Sequence, residues 1–277
     1  MRLLERIRDE LVKLLCADDP VPGIALLVRT NLAKVFLPEL PALQLETDEH
    51  HHHKDVYEHS LTVLTQAIEW EKKRFPDAPP NVVLRLAALL HDIGKPATRR
   101  FEPGGAVSFY HHDVVGAKLA KKRLRELRFD NDTISAVSEL IELHLRFFGY
   151  SEGAWTDAAV RRYVRDAGSQ LELLHILTRA DVTTRNKRKA DRLSFAYDDL
   201  EARIVELSAA EELASIRPDL DGEAIMRILK IAPGPVVGRA YRYLLEARLD
   251  DGPLGDERAT TMLLEWWQSQ PDFVPHE

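Results

Sequence analysis

Apolar residues recur every three or four positions along most of the chain, and this period is typical of amphipathic α-helices. Residues 2–15 show the period clearly, with leucine and isoleucine separated by charged residues. No stretch is convincing as a β-strand, although the turn at Gly104-Gly105 could form a short hairpin. The pattern therefore predicts an all-α fold. The predicted helices span residues 2–15, 24–36, 55–74, 80–93, 112–127, 131–145, 157–166, 170–184 and 194–214, with about three more between 221 and 270.

The composition is that of an ordinary globular protein, with 277 residues and a formal net charge of −7. This length suggests one large or two modest domains. Cys16 is the one cysteine, which excludes an intramolecular disulfide and a cysteine-based zinc site. No apolar run approaches the ~18 residues of a membrane span, and the charged N-terminal helix does not fit a signal peptide. We therefore expect a cytoplasmic protein with no membrane partner.

Several histidines and aspartates fall on apolar helix faces, where each side chain should point into a core. Any one of these histidines, taken alone, could be an ordinary core residue with satisfied hydrogen bonds. Burying unpaired carboxylates is costly, however, and a divalent cation held by imidazoles and carboxylates would compensate for it. Such donors suit Mn, Ni, Co, Fe or Zn, as one ion or two. The candidate ligands are His59, His91, Asp92, His112, His144 and Asp181.

The adjacent pair His91-Asp92 sets a geometric condition. Neighbouring side chains on a helix differ by ~100° in direction, so both can reach one ion only at a helix end. Gly94 and Pro96 follow directly and predict that end.

The segment 91–94, read His-Asp-Ile-Gly, resembles the "HDIG" signature of the HD superfamily of metal-dependent phosphohydrolases. The resemblance implies an HD-domain helical bundle that hydrolyses phosphate mono- or diesters. The four basic ligands of that family would fall here on His59, His91, Asp92 and Asp181. Composition alone gives no indication of the substrate.

Two-metal members of the HD superfamily add two histidines between the His-Asp pair and the last aspartate. His112 and His144 occupy suitable places, so the resemblance makes a dinuclear site plausible. His111 lies beside His112 and could take its role. If His144 is not a ligand, it could instead act as a general acid.

The resemblance extends to bacterial CCA-adding tRNA nucleotidyltransferases that carry an appended HD domain. It rests on residues 57–60, 179–186 and 231–235, and on a neck-like motif in residues 5–11. It implies three regions: neck-like helices in 1–54, the HD domain in 55–195 and a C-terminal helical body and tail in 196–277. The Gly-Gly/Ser loop and Asp-x-Asp pair of the catalytic head are missing from the sequence. We therefore expect that this chain does not add nucleotides by itself. We expect it to be either a paralogue without the catalytic head or a truncated product.

As an enzyme, the chain is expected to hydrolyse phosphoesters with a metal-activated water. Asp92 is the pivotal ligand and could orient that water. Lys95 could bind phosphate as a point charge, or could be a solvated lysine at a helix end. Arg185 follows Asp181 by four residues, so on a helix it could reach the same phosphate or form a surface salt bridge. The resemblance points to 2′,3′-cyclic phosphodiesters, nucleotides or RNA 3′-end phosphates as substrates.

Two alternatives to this reading stay open. The chain could be the tRNA-binding C-terminal module of a CCA-adding enzyme that works with a head on another chain. It could also be a deoxynucleotide phosphohydrolase, an activity found elsewhere in the superfamily. Two basic clusters could follow a phosphate backbone or could be solvated helix faces. Their members are Lys118, Lys121, Lys122, Arg123, Arg125 and Arg128 in the first, and Arg179, Arg185, Lys187, Arg188, Lys189 and Arg192 in the second.

Overall fold

A computed structural model describes residues 2–45, 55–151, 155–184, 186–211, 213 and 216–271. In these residues the all-α prediction is confirmed, because the secondary structure is helical apart from one two-stranded hairpin. None of the described helices has both the length and the apolar character that a membrane span requires. The helices are α1 (Arg2–Leu15), α2 (Val21–Arg29), α3 (Ala33–Phe36), α4 (Val56–Arg74), α5 (Val82–Leu90), α6 (Lys95–Thr98), α7 (His112–Glu126), α8 (Asn131–Leu143), α9 (Phe148–Ser151), α10 (Asp157–Ala167), α11 (Leu171–Ala180), α12 (Lys187–Glu211), α13 (Gly222–Leu229), α14 (Pro235–Asp251) and α15 (Asp256–Gln268).

The chain divides into two compact units. Unit 1 contains Met1–Ser151 and Ser169–Tyr197, and unit 2 contains Glu152–Gly168 and Asp198–Glu277. Unit 1 therefore holds the N-terminal helices together with most of the predicted HD region, whose residues 152–168 fall in unit 2. The domain boundaries expected at residues 54 and 195 stay predictions.

Unit 1 is built around α5, a short helix that is apolar on all sides. Residues 84–90 are buried without exception, as expected for a helix surrounded by others. Helix α5 packs against α4, α8 and α11, and α7 packs along α8. These five helices form the bundle that carries the candidate site.

Side-chain caps explain where several of these helices begin. The Asp55 carboxylate accepts a hydrogen bond from the Tyr57 backbone N–H, which confirms the predicted start of α4. Asn81 caps α5 and Asp130 caps α8 in the same way. Between α6 and α7 the expected hairpin forms from β1 (Arg100–Phe101) and β2 (Val107–Ser108), which pair antiparallel.

Helix ends are where the structure departs from the sequence pattern. Helix α5 ends at Leu90, three residues before the predicted end, and Pro96 instead lies in the first turn of α6. The predicted helix 24–36 begins earlier and is interrupted between α2 and α3. Helix α11 ends at Ala180, so the predicted extension to residue 184 is wrong.

A buried ion pair holds the N-terminal helix against the bundle. The Arg85 guanidinium binds the Glu71 carboxylate at 2.9 Å. It also donates to the carbonyl oxygens of Leu15 at 2.6 Å and Ala17 at 2.9 Å. These carbonyls lie at the end of α1 and just beyond it, where the helix itself offers no donor. Arg85 therefore connects α4, α5 and the end of α1.

Unit 2 has its own core, formed by α13, α14 and α15. Ile225, Leu244 and Leu263 are fully buried in it. The three helices predicted for the tail are thus confirmed. The Arg161 and Arg248 guanidiniums both bind the Glu211 carboxylate, and these bonds lower the pKa of Glu211.

Gly94 lets the start of α7 lie directly against the turn that follows α5. A Cβ atom at residue 94 would lie 2.0 Å from the His112 carbonyl oxygen and 2.7 Å from the Gly116 backbone nitrogen. Both contacts are with backbone atoms, which cannot turn away as a side chain could. The two backbones therefore approach this closely only with glycine at this position.

Replacing Gly94 with alanine should therefore lower the free energy of unfolding by at least about 2 kcal/mol, because overpacking forces α7 away from the turn. Urea unfolding followed by circular dichroism measures the change. The matched control is Gly222→Ala, whose new Cβ would lie 3.7 Å from Val237 Cγ1, an ordinary contact. Equal stability of the Gly94→Ala protein and the wild type would contradict the close approach.

Candidate metal centre

The six predicted ligands meet where five helices begin or end. His91, His144 and Asp181 each follow directly on the last residue of a helix, namely α5, α8 and α11. His112 opens α7, and His59 lies in the first turn of α4. A helix C-terminus carries partial negative charge, so three such ends favour a cation between them. The condition set by the His91-Asp92 pair is met, because both residues lie beyond the end of α5.

Three of the six side chains form a first group: His59, His91 and Asp181. The His59 Nε2 atom lies 2.9 Å from Asp181 Oδ1. The His91 Nε2 atom lies 3.5 Å from the same oxygen and 3.3 Å from His59 Nε2. Two imidazole nitrogens and one carboxylate oxygen thus converge within reach of one ion.

Asp92, His112 and His144 form a second group, with one potential ligand atom each and all three within 4.8 Å of one another. The His112 Nε2 atom lies 3.2 Å from Asp92 Oδ1. The other oxygen, Asp92 Oδ2, lies 3.2 Å from His91 Nε2 and 3.6 Å from His59 Nε2. The Asp92 carboxylate therefore faces both groups, with one oxygen toward each.

The structure also distinguishes His112 from His111. His112 is buried with its ring toward Asp92, whereas His111 is exposed and precedes the helix with a left-handed backbone conformation. Of the two, His112 is the one brought to the cluster.

Hydrogen bonds fix the tautomer of three of the histidines. In each, the ring Nδ1 lies within hydrogen-bond distance of the carbonyl oxygen three residues earlier. A carbonyl can only accept, so Nδ1 carries the proton and donates it. In the neutral ring the lone pair is then on Nε2, the atom that faces the cluster, as in metal-binding histidines. The three bonds are His91 to Ala88 at 2.9 Å, His112 to Phe109 at 2.8 Å and His144 to Ile141 at 2.6 Å.

His59 is oriented differently, by the Thr183 hydroxyl, which lies 3.2 Å from its Nδ1 atom. The sequence did not single out Thr183, because its contact with His59 joins residues that are 124 positions apart in the chain. Nor could periodicity reveal the carbonyl partners of the other three histidines.

The charges of the site are strongly coupled. Burial lowers the pKa of His91, but the charges and hydrogen bonds of Asp92 and Asp181 outweigh it and raise that pKa to about 10. Burial would raise the pKa of each aspartate, but the neighbouring histidines outweigh it and lower both values. A cation would have to displace the proton of His91.

His144 has the opposite shift. Burial and the positive charge of His91 lower the pKa of His144 to about 4, so its ring is neutral at pH 7. Its Nε2 atom is buried and has no hydrogen-bond partner among the described residues. A buried acceptor of this kind is unfavourable unless something binds it. A divalent cation fits this donor set of imidazole nitrogens and carboxylate oxygens.

Of the two predicted phosphate-binding residues, Lys95 and Arg185, the structure describes only Lys95. Lys95 is half-buried, and its Nζ atom donates to Asp92 Oδ2 at 2.6 Å, so it is not simply a solvated lysine. Arg185 lies outside the described residues. Because α11 ends at Ala180, the helical spacing that was to place Arg185 beside Asp181 is wrong.

Comparison with known proteins agrees with this architecture. Residues 56–186 match the family described as "HD domain", and residues 4–43 match "Probable RNA and SrmB- binding site of polymerase A". HD domains bind divalent metals. The first match contains all six residues of the cluster.

Two of the similar proteins are named as tRNA nucleotidyltransferases, and a third is named as a CCA protein. The chain is 33% identical over 265 residues to the "CC-adding tRNA nucleotidyltransferase" of Thermus thermophilus, covering 95% of this chain and 56% of the relative. It is 34% identical over 269 residues to the "A-adding tRNA nucleotidyltransferase" of Deinococcus radiodurans, covering 96% of this chain and 59% of the relative. It is also 29% identical over 144 residues to the "Multifunctional CCA protein" of Legionella pneumophila, covering 51% of this chain and 32% of that protein.

The chain thus spans little more than half the length of the first two relatives. Residues 56–186 are therefore similar to HD domains, and the chain as a whole is similar to a part of the tRNA nucleotidyltransferases named above.

Proposed function

We propose that the six-residue cluster holds two divalent cations and hydrolyses a phosphoester. The observation that carries the proposal is the Asp92 carboxylate, whose two oxygens face two separate groups of ligands. His59, His91 and Asp181 would hold one ion with Asp92, and His112 and His144 would hold the other with Asp92. When bound, such ions lower the pKa of a water and neutralise charge on phosphoryl oxygens.

The neighbouring residues have defined parts in this proposal. One of the three N–H donors of Lys95 is directed to Asp92, which leaves two for a phosphoryl oxygen. His144 would serve as a ligand, because its proton is on Nδ1 and its Nε2 lone pair faces the cluster. A general acid would need that proton on Nε2, so the acid role loses its support. A phosphate contact by Arg185 stays a prediction.

The substrate we favour is a 2′,3′-cyclic phosphodiester, a nucleotide or an RNA-end phosphate. Residues 4–43, which match a family described as a probable RNA-binding site, precede the HD match, and two relatives are named for tRNA. Those names describe nucleotide addition rather than hydrolysis. Hydrolysis is therefore proposed from the metal cluster and the HD family, and not from the relatives.

Replacing Asp92 with asparagine should abolish metal-dependent turnover, with kcat/KM falling at least about a thousandfold, because metal ions supply several kcal/mol of transition-state stabilisation. The measurement uses 2′,3′-cyclic AMP, 2′-AMP, dAMP and a generic phosphodiester, each with Mn, Ni, Co and Mg. A preference for dAMP would favour the deoxynucleotide phosphohydrolase alternative.

The matched control is Asp130→Asn, in the same unit. Asp130 is exposed and caps α8, a position that asparagine also fills well. This protein should retain full turnover. Equal activity of the Asp92→Asn and Asp130→Asn proteins, or no turnover by the wild type with metal bound, would contradict the hydrolase proposal.

Binding of tRNA is the second function we propose, on the match of residues 4–43 and the names of the relatives. Exposed cations in this segment, Arg29 and Lys34, are suited to phosphate contacts.

Replacing Arg29 and Lys34 with glutamate should weaken tRNA binding about tenfold, because two phosphate contacts would become repulsive. Fluorescence anisotropy in EDTA measures this binding without the metal centre. Lys72→Glu/Lys73→Glu is the control, since it makes the same charge change outside the segment. A wild-type protein that binds tRNA only when metal is present would contradict an independent tRNA-binding role.

A further inference from the structure

Helix α7 carries a line of exposed positive charge that starts near the metal centre. Lys118, Lys121, Lys122 and Arg125 are exposed, and the two central lysines each lie three or four residues from Lys118 and from Arg125, so the four share one face. We call these four residues the α7 stripe. The buried residues of α7, which include Ala117, Ala120 and Leu124, lie on the opposite side. The stripe therefore faces solvent along the length of the helix.

The described part of the protein does not neutralise the stripe. Among the residues that the structure describes, no ion pair involves any of its four members. Arg123, on another side of the same helix, shows the contrast, because it binds Glu39 at 2.9 Å and Glu126 at 2.6 Å. Cations in the last turn of a helix also stabilise its dipole, but Lys118 lies too far from the C-terminus for that. The four charges are thus free to meet an external anion.

The stripe has a fixed relation to the metal centre, because α7 begins with the ligand His112. At the rise of an α-helix, Lys118 lies about 9 Å and Arg125 about 20 Å along the axis from that ligand. Adjacent phosphates of one nucleic-acid strand are about 3.4 Å apart along a duplex axis. The stripe itself is about 10 Å long from Lys118 to Arg125, so it extends over about two or three phosphates of a stacked strand. A mononucleotide at the metal centre would reach little of it.

An exposed aromatic ring lies at the same end of α7. Tyr110 is two residues before His112, and 68% of its surface is exposed. It makes no ring contact or hydrogen bond with any described residue. Exposed aromatic rings beside cationic tracks are the usual platform for stacking single-stranded bases.

We propose that the metal centre acts on the end of a single-stranded RNA, with a terminal base stacked on Tyr110 and the backbone following the α7 stripe. This inference rests on the proposed hydrolase function and specifies its substrate as a polynucleotide end. Phosphate contacts along the stripe supply affinity without base specificity. Tyr110 and Lys95 lie nearer the end that would be hydrolysed.

The binding test uses a short single-stranded RNA ending in a 2′,3′-cyclic phosphate, followed by fluorescence anisotropy in EDTA. The Lys121→Glu/Lys122→Glu protein should bind about tenfold more weakly, and the slope of log K against log salt should fall by about 1.4. Lys72→Glu/Lys73→Glu makes the same charge change on α4 of the same unit and should bind like wild type. Tyr110→Ala should weaken binding about tenfold, and Tyr110→Phe should restore it, since stacking needs only the ring.

The kinetic test separates this inference from the hydrolase proposal. With metal present, the ratio of kcat/KM for the oligonucleotide to that for 2′,3′-cyclic AMP should fall about tenfold in Lys121→Glu/Lys122→Glu. If wild type turns over neither substrate, the hydrolase proposal is overturned. The binding experiment would still test whether RNA follows the α7 stripe. Equal RNA binding by the Lys121→Glu/Lys122→Glu and Lys72→Glu/Lys73→Glu proteins would overturn the proposal that RNA follows the α7 stripe. So would binding of the stripe to anionic phospholipid vesicles in preference to RNA.

Discussion

The buried carboxylate of Asp92 is the group on which the arrangement of unit 1 depends. It lies almost completely inside the bundle, and three neighbouring groups are placed to compensate its charge. His91 and His112 approach from two sides and the Lys95 ammonium from a third. An ionised carboxylate at this depth is stable only with such partners, and removing them would leave an uncompensated charge. With His91 neutral, the imidazole nitrogens and the two aspartate carboxylates form a donor set that suits a cation.

The bundle brings these imidazoles and carboxylates together by placing the ends of three helices at the cluster. Helices α5, α8 and α11 direct their negative ends at the cluster, and the residue after each helix is a ligand. Carbonyl oxygens near those ends orient the imidazoles, so the backbone that terminates the helices also sets the tautomers. Gly94 then allows α7 to approach closely enough for His112 to complete the set. Packing around α5 holds these ends fixed relative to one another.

Much of this could be predicted from the sequence, because the helical period and the capping residues are local. The bounds of α1 and α4 follow from them, and the six polar residues on apolar faces do meet at one cluster. What could not be predicted depends on tertiary contacts. The end of α11 before Val182 removes the expected helical placement of Arg185, and the Thr183 bond to His59 joins residues far apart in the chain. Whether His111 or His112 faces Asp92 was decided by the turn at the start of α7.

The central claim is that Asp92 bridges two cation sites, one completed by His59, His91 and Asp181 and the other by His112 and His144. The most direct measurement is the number of Mn ions bound per chain, by equilibrium dialysis and elemental analysis, for wild type, His112→Ala and His111→Ala. The account predicts two ions for wild type and for His111→Ala, and one ion for His112→Ala. Equal metal content in all three proteins, or loss of metal in His111→Ala alone, would contradict it.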